Sequence, residues 1–292
     1  MVYLPKFLGI GAAKSGTTSL HDILSKHPEL FLPQKKELAF FCTEHHFREG
    51  LKKYASNFEK AGDKTCGEIT PQYMYSDEAF SRVVETLGSD IKIIVMLRNP
   101  ADRAYSHYQH MRFRGQDTLS FQEALKAEPT RLRNNVQSRF KYSYLDRGYY
   151  ARQLKPWIER FGIDNIFIII FETDFRGKAL NHTLTKLQKF LGVKAIELDI
   201  NTHSNRSKST RFVKLNRFLF NKLSKARWLY TILIPSQKLR RQILDFISNI
   251  GAKETEKLSP ILRQQIITSF YMNDIFQLEE LLQRDLAHWY TN

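Results

Sequence analysis

The stretch FLGIGAAKSGTTSLHDIL, residues 7–24, carries the reading of the fold. Its opening, FLGIGA (7–12), is a short apolar run that enters a glycine-bearing turn, which predicts a buried strand. From Thr18 the spacing changes: in TSLHDILSKH (18–27), Leu20, Ile23 and Leu24 share one helical face. The same strand-then-helix order recurs. IKIIVML (91–97) is a β-branched run too short for a buried helix, and PADRAYSHYQHM (100–111) follows it with Pro100 at a helix start. NIFIIIF (165–171) precedes the amphipathic ALNHTLTKLQKFLG (179–192). Helices are also expected over SDEAFSRVVETL (76–87), with Ser76 as N-cap and acids in the first turn, and over YYARQLKPWIERF (149–161) despite Pro156. A long last helix is expected from about Pro260 to Arg284. Alternating strands and helices predict an α/β fold with a central parallel sheet flanked by helices. Ligands in such folds sit beyond the carboxyl ends of the strands, so the segments after each apolar run are the candidate site.

Composition narrows the function classes. The chain has 292 residues, 42% hydrophobic and 26% charged, which excludes a disordered polyelectrolyte. Two cysteines, Cys42 and Cys66, exclude a disulfide framework. MVYLPKFLGIGAAKSG lacks the layout of a secretory signal, and no run nears the roughly 18 apolar residues of a membrane span, so a cytoplasmic setting is the expectation. The net charge is +15, from 45 Lys plus Arg against 30 Asp plus Glu. Between Asp199 and Asp245 there are 11 basic residues and no acid, which leaves +4 for the rest. A near-neutral body therefore carries a basic segment at about 200–250, expected to be helical. That segment reads either as a solvated helical face or as a surface for a polyanion.

Two loops carry the chemistry. GAAKSGTTS (11–19) offers an ammonium, hydroxyls and helix N-terminal amides, a fit for a phosphate-like anion. It is not a Walker A loop, because Lys14 stands two residues before Gly16 instead of directly after it. The second apolar run ends in Arg98, where a Walker-type ATPase would place an acid near its magnesium. Arg98, and Ser106 eight residues on, can reach one anion if their helix lies beside the strand end; a strand-end ion pair is the plainer reading of Arg98. Arg103 reads as a helix-surface or packing residue.

Together, KSGTT opening the first helix and LRNPADRAYSHY after a later strand resemble the sulfotransferase family that uses 3′-phosphoadenosine 5′-phosphosulfate (PAPS). QKKELAFF (34–41) is similar to the KE-x-x-FF stretch of its carbohydrate-type and bacterial members, and GEITPQYMYSDEA (67–79) to their next motif. RGYYARQLKPWIERF and LEELLQRDLAHW fit too, so the resemblance runs from about Phe7 to Trp289. It implies a single domain over 1–292 with a P-loop-kinase-like fold, and no metal. It places the 5′-phosphosulfate loop on Lys14, Ser15, Gly16, Thr17 and Thr18, the 3′-phosphate contacts on Arg98 and Ser106, and the general base on Glu37. Lys14 would offset charge on the leaving phosphate, and Glu37 would take the acceptor's proton. Lys36, Glu68, Thr70 and Tyr73 are candidates for the acceptor pocket, with strand-end packing as the alternative for the last three. The basic loop NRSKSTR (205–211) offers Arg206, Lys208 and Arg211 to the nucleotide. Where many relatives carry His two residues after the motif Glu, this chain has Ala39, and His45 and His46 are the nearest histidines.

The expected function is transfer of a sulfuryl group from PAPS to a hydroxyl or amine of a small-molecule or glycan acceptor. A P-loop-type kinase or NTPase and a non-catalytic polyanion-binding protein are the alternatives. No nucleic-acid motif is present. WLYTILIPSQKLRRQILDFI (228–247) would give peripheral membrane contact, cover a cleft, or simply pack as an amphipathic helix.

Overall fold

The computed structural model describes residues 3–200, 208–210, 252–254 and 256–291. In chain order the elements are β1 (Phe7–Gly11), α1 (Thr17–Leu24), β2 (Leu30–Phe31), α2 (Glu44–Arg48), α3 (Leu51–Ala55), β3 (Thr65–Ile69), α4 (Asp77–Leu87), β4 (Lys92–Leu97) and α5 (Pro100–Phe113). Then come α6 (Phe121–Asn134), α7 (Val136–Tyr142), α8 (Tyr150–Phe161), β5 (Ile166–Ile170), α9 (Phe171–Asp174) and α10 (Ala179–Phe190). After these stand β6 (Lys208–Thr210), β7 (Ala252–Glu254), α11 (Pro260–Ile266) and α12 (Met272–Leu282).

Two compact units are present: Met1–Arg103, Arg147–Ser204 and Gln264–Asn292 in the first, Ala104–Asp146 and Asn205–Arg263 in the second. The first holds a five-stranded sheet in the order β2-β3-β1-β4-β5, parallel throughout. One face is covered by Leu20, Ile23 and Leu24 of α1 and Leu184 and Leu187 of α10, packed with Ile94 and Met96 of β4. Ile93, Val95 and Leu97 alternate to the other face and are no more exposed, so the sheet is covered on both sides. β1 leads towards β2 on one side and β4 towards β5 on the other, which makes the crevice beyond β1 and β4 the topological switch point.

β3 shows no apolar run in the sequence: Thr65, Cys66, Gly67, Glu68 and Ile69 form it. Gly67 is required because a Cβ there would collide with the Phe7 ring across the β1–β3 pair. The expected last helix is interrupted. A π-helical turn over Ile267–Tyr271 separates α11 from α12 and seats the buried Tyr271 ring 5.2 Å from that of Tyr149. Asp274 of α12 then caps α8, accepting from the backbone N–H groups of Ala151 (3.1 Å) and Arg152 (3.3 Å).

In the second unit, the buried Asp117 carboxylate accepts from Arg131 Nη1 at 2.6 Å and Tyr144 Oη at 2.7 Å. Glu128 of α6 accepts from the N–H groups of Leu145 and Asp146. The expectation of a helical basic segment meets a correction at Lys208–Thr210, which pairs antiparallel with Ala252–Glu254 as a strand. Ladder partners 42 to 46 positions away, in the register Lys208↔Glu254 to Thr210↔Ala252, decide this, and local periodicity does not report it. Arg206, Arg211 and residues 228–247 lie outside the described residues. Among those that are described, no helix is long and apolar enough to cross a membrane.

Candidate functional site

The loop after β1 enters α1 through Gly16, at φ 96°. That conformation favours glycine, and a side chain would also meet the Phe171 ring. Lys14, two residues earlier, is held at φ 74°, a left-handed position uncommon for lysine. Helix α1 has no side-chain N-cap and no acid in its first turn, so its leading N–H groups keep the positive end of the dipole uncompensated. Thr17 and Thr18 lie in that turn, with Thr17 buried. Ser15 is fully buried, and its Oγ lies against the Tyr150 hydroxyl without forming a hydrogen bond of ordinary geometry. A buried hydroxyl left unsatisfied beside an uncapped helix start fits a loop built to receive an anion.

Arg98 leaves the end of β4 and reaches the same loop, Nη1 donating to the Lys14 carbonyl at 3.3 Å. Its guanidinium carbon lies 5.4 Å from the Phe171 ring centroid. Burial pushes its pKa down, and the nearby Asp102 and Glu172 carboxylates oppose that shift. Tyr150 Oη donates to the Arg98 carbonyl at 2.9 Å. The next residue, Asn99, is fixed from two sides: its N–H donates to Glu172 Oε1 at 3.0 Å, and its Nδ2 to the Trp289 carbonyl at 3.1 Å. Trp289 Nε1 in turn donates to Glu172 Oε2 at 3.2 Å. The strand end bearing Arg98 is thereby tied to α9 and to the C-terminal turn. Arg103 is fully buried, a packing residue and not a surface one.

Ser106 is buried and belongs to the second unit. The structure therefore brings Arg98 to the Lys14 loop within the first unit, and places Ser106 on the helix that follows.

Glu37 sits on an irregular loop after β2, not at a helix start, with φ 60°. Its side chain is 41% exposed and its Oε1 accepts from Lys36 Nζ at 2.8 Å. Leu38 and Phe40 are buried on either side of Ala39, which is itself at φ 54°. The loop is tied to α1, because His21 Nε2 donates to the Pro33 carbonyl at 3.2 Å. Burial lowers the His21 pKa, and the Lys36 charge lowers it further.

Glu68, Thr70 and Tyr73 come together behind this loop, each no more than 2% exposed. Glu68 accepts from Tyr54 Oη (2.8 Å), Tyr73 Oη (2.7 Å) and Thr70 Oγ1 (2.7 Å). Burial raises the Glu68 pKa, and these donors oppose the rise. Placed this way, the three support the loop that carries Lys36 and Glu37. His45 and His46 stand on α2, His45 with an 82% exposed side chain 3.6 Å from Glu49.

Several contributors carry no local signal. Tyr54 lies outside every motif, and Phe171 and Glu172 sit immediately after an apolar strand, where position alone could have flagged them. Arg98, Lys14 and Glu37 all follow strands β4, β1 and β2 of one parallel sheet, so they leave the same carboxyl edge.

Residues 4–244 match the family model of the sulfotransferase domain. The human bifunctional heparan sulfate N-deacetylase/N-sulfotransferase 3 is 32% identical over 200 residues, 65% of this chain and 22% of the relative. A membrane-associated sulfotransferase, kil1, of Dictyostelium discoideum is 37% identical over 112 residues, 37% of this chain and 23% of the relative. The chain thus spans about a fifth of the length of these curated relatives. Among solved structures, a sulfotransferase from Alicyclobacillus acidocaldarius superposes with a TM-score of 0.72 at 26% identity, covering 99% of this chain and all of the other.

Proposed function

The chain belongs to the sulfotransferase family, and we propose that it moves a sulfuryl group from PAPS to a hydroxyl or amine of a carbohydrate acceptor. The observation that carries this reading is the meeting of the Lys14 loop and Arg98 at the carboxyl edge of neighbouring parallel strands. The buried, unsatisfied Ser15 hydroxyl and the uncapped start of α1 suit the doubly anionic phosphosulfate end of the nucleotide.

PAPS supplies the sulfuryl group, held as a mixed anhydride with phosphate. Lys14 and the α1 amides hold the 5′ end and offset the negative charge that grows on the phosphate oxygen when the sulfur–oxygen bond breaks. Arg98 and Ser106 take the 3′-phosphate, with Arg206, Lys208 and Arg211 as its further cations. Glu37 accepts the proton of the attacking hydroxyl or amine as the new bond to sulfur forms, a contribution of about 100- to 10,000-fold. Lys36, paired to Glu37, orients that carboxylate and offers a cation to an acidic glycan. The heparan sulfate enzymes among the relatives support a carbohydrate acceptor with a free amine or hydroxyl.

The test is transfer of labelled sulfuryl from PAPS, without magnesium, to N-desulfated heparan chains and to their N-acetylated counterparts. Label on either chain supports the reading. Transfer to simple phenols with neither glycan accepted would overturn the carbohydrate assignment. Tight binding of magnesium ATP with no binding of 3′-phosphoadenosine 5′-phosphate would overturn the donor assignment.

A further inference from the structure

We propose that Glu68 is a positioning residue for the base, a buried carboxylate whose bonds fix the backbone that immediately follows Glu37. This rests on the assignment of Glu37 above. Three hydroxyl donors converge on one side chain. Tyr54 and Tyr73 donate their hydroxyls to Oε1, and Thr70 donates to Oε2, with the Leu38 backbone amide favouring the charged carboxylate. Thr70 Oγ1 then accepts the Ala39 N–H at 3.3 Å. The Ala39 amide, two residues after Glu37, therefore ends on a direct partner of Glu68, and the Leu38 amide lies between the two.

The loop needs such support. Glu37 at φ 60° and Ala39 at φ 54° are both left-handed, a conformation that costs a non-glycine residue about 1–2 kcal/mol. It persists only where the surroundings over-determine it. Leu38 and Phe40 bury their side chains, and the amides between them need acceptors that the irregular loop does not supply. A carboxylate suits this role better than an amide, because it accepts at every lone pair and donates nothing. No lysine or arginine pairs with Glu68 among the described residues, so the shell around it is directional hydroxyls and amides. Its product is geometry: the direction in which the half-exposed Glu37 carboxylate leaves the loop.

Glu68→Gln keeps the volume and introduces a donor facing the Tyr54 and Tyr73 hydroxyls. Transfer from PAPS to N-desulfated heparan chains is expected to lose about 10- to 100-fold in kcat, the scale of a misplaced catalytic group. Affinity for 3′-phosphoadenosine 5′-phosphate, set at the Lys14 loop, is expected to stay within about threefold, on the order of 0.6 kcal/mol. In a Glu37→Gln background, Glu68→Gln is expected to cost nothing more, because its effect passes through Glu37. Amide exchange should quicken at residues 37–40 and stay unchanged in α1. Tyr73→Phe, which removes one donor, gives the same pattern at about 2- to 12-fold if the glutamine variant does not fold.

Losses that multiply in the Glu37→Gln background would overturn the proposal while leaving the base assignment standing. So would unchanged kcat or exchange in both Glu68→Gln and Tyr73→Phe. A fully active Glu37→Gln would sink the base assignment itself, and this inference with it.

Discussion

Glu37→Gln removes the proposed proton acceptor but keeps the backbone bond from Ala39 to Thr70. The expected outcome is unchanged binding of 3′-phosphoadenosine 5′-phosphate with kcat lowered by about 100-fold or more; equal turnover in the two proteins would remove Glu37 from the mechanism. Gly16→Ala probes the other half of the site. A methyl group at φ 96° is strained and meets the Phe171 ring, so nucleotide affinity should fall, with a stability loss of about 1–3 kcal/mol measurable by urea melting. An alanine variant that binds and melts like the parent would show that the loop is not held as described. Lys14 and Arg98 could be proposed as anion contacts from local position, because Arg98 directly follows β4 and Lys14 stands three residues past β1. The assignment of Glu37 as a base had no support in its surroundings in the chain. The bonds next to it run from Ala39 through Thr70 and Glu68 to Tyr54, far apart in sequence, so only the family resemblance pointed to Glu37.

Strands β1 and β4 were readable because they are buried on both faces, which makes the apolar run continuous, and β5 shows the same run although Phe167 and Ile168 are only partly buried. β2 has two residues and β3 contains a glycine and a glutamate, and both are fixed by pairing instead of composition. The Ser76 cap of α4 was readable and is present, with Oγ accepting the Ala79 N–H at 3.2 Å. Ser76→Ala should therefore cost about 0.5–2 kcal/mol in chemical denaturation, and a cost near zero would deny the cap. The tie between α9 and the end of α12 was not readable, because its partners are Asp174 and Arg284. Burial raises the Asp174 pKa, but the bonds from Arg284 (2.8 Å to Nη1) and the Ile170 N–H (2.7 Å) outweigh it and hold the carboxyl below its usual range. A depressed pKa stabilises the fold above the unfolded aspartate value, about 3.9, and that contribution is lost as pH falls through the lower folded value. Asp174→Asn should then cost about 1–2 kcal/mol at pH 7 and progressively less at acid pH, judged by urea melts across that range. An equal cost at both ends would mean that the charge is not what matters.

At the scale of the molecule, the charge of +15 divides into a body of +4 and 11 cations between Asp199 and Asp245. The parallel sheet brings the segments that bear Lys14, Arg98 and Glu37 to one carboxyl edge. On the proposed reading the helix N-terminus and the cations receive a substrate anion, and a bound anion should then stabilise the fold in proportion to occupancy. The most direct test is calorimetric titration with 3′-phosphoadenosine 5′-phosphate in the absence of magnesium. Binding of one nucleotide per chain with an affinity on the order of micromolar, weakened at least about tenfold by Lys14→Ala, is the predicted result. A folded protein that takes up no nucleotide, or whose affinity ignores Lys14, would contradict the account.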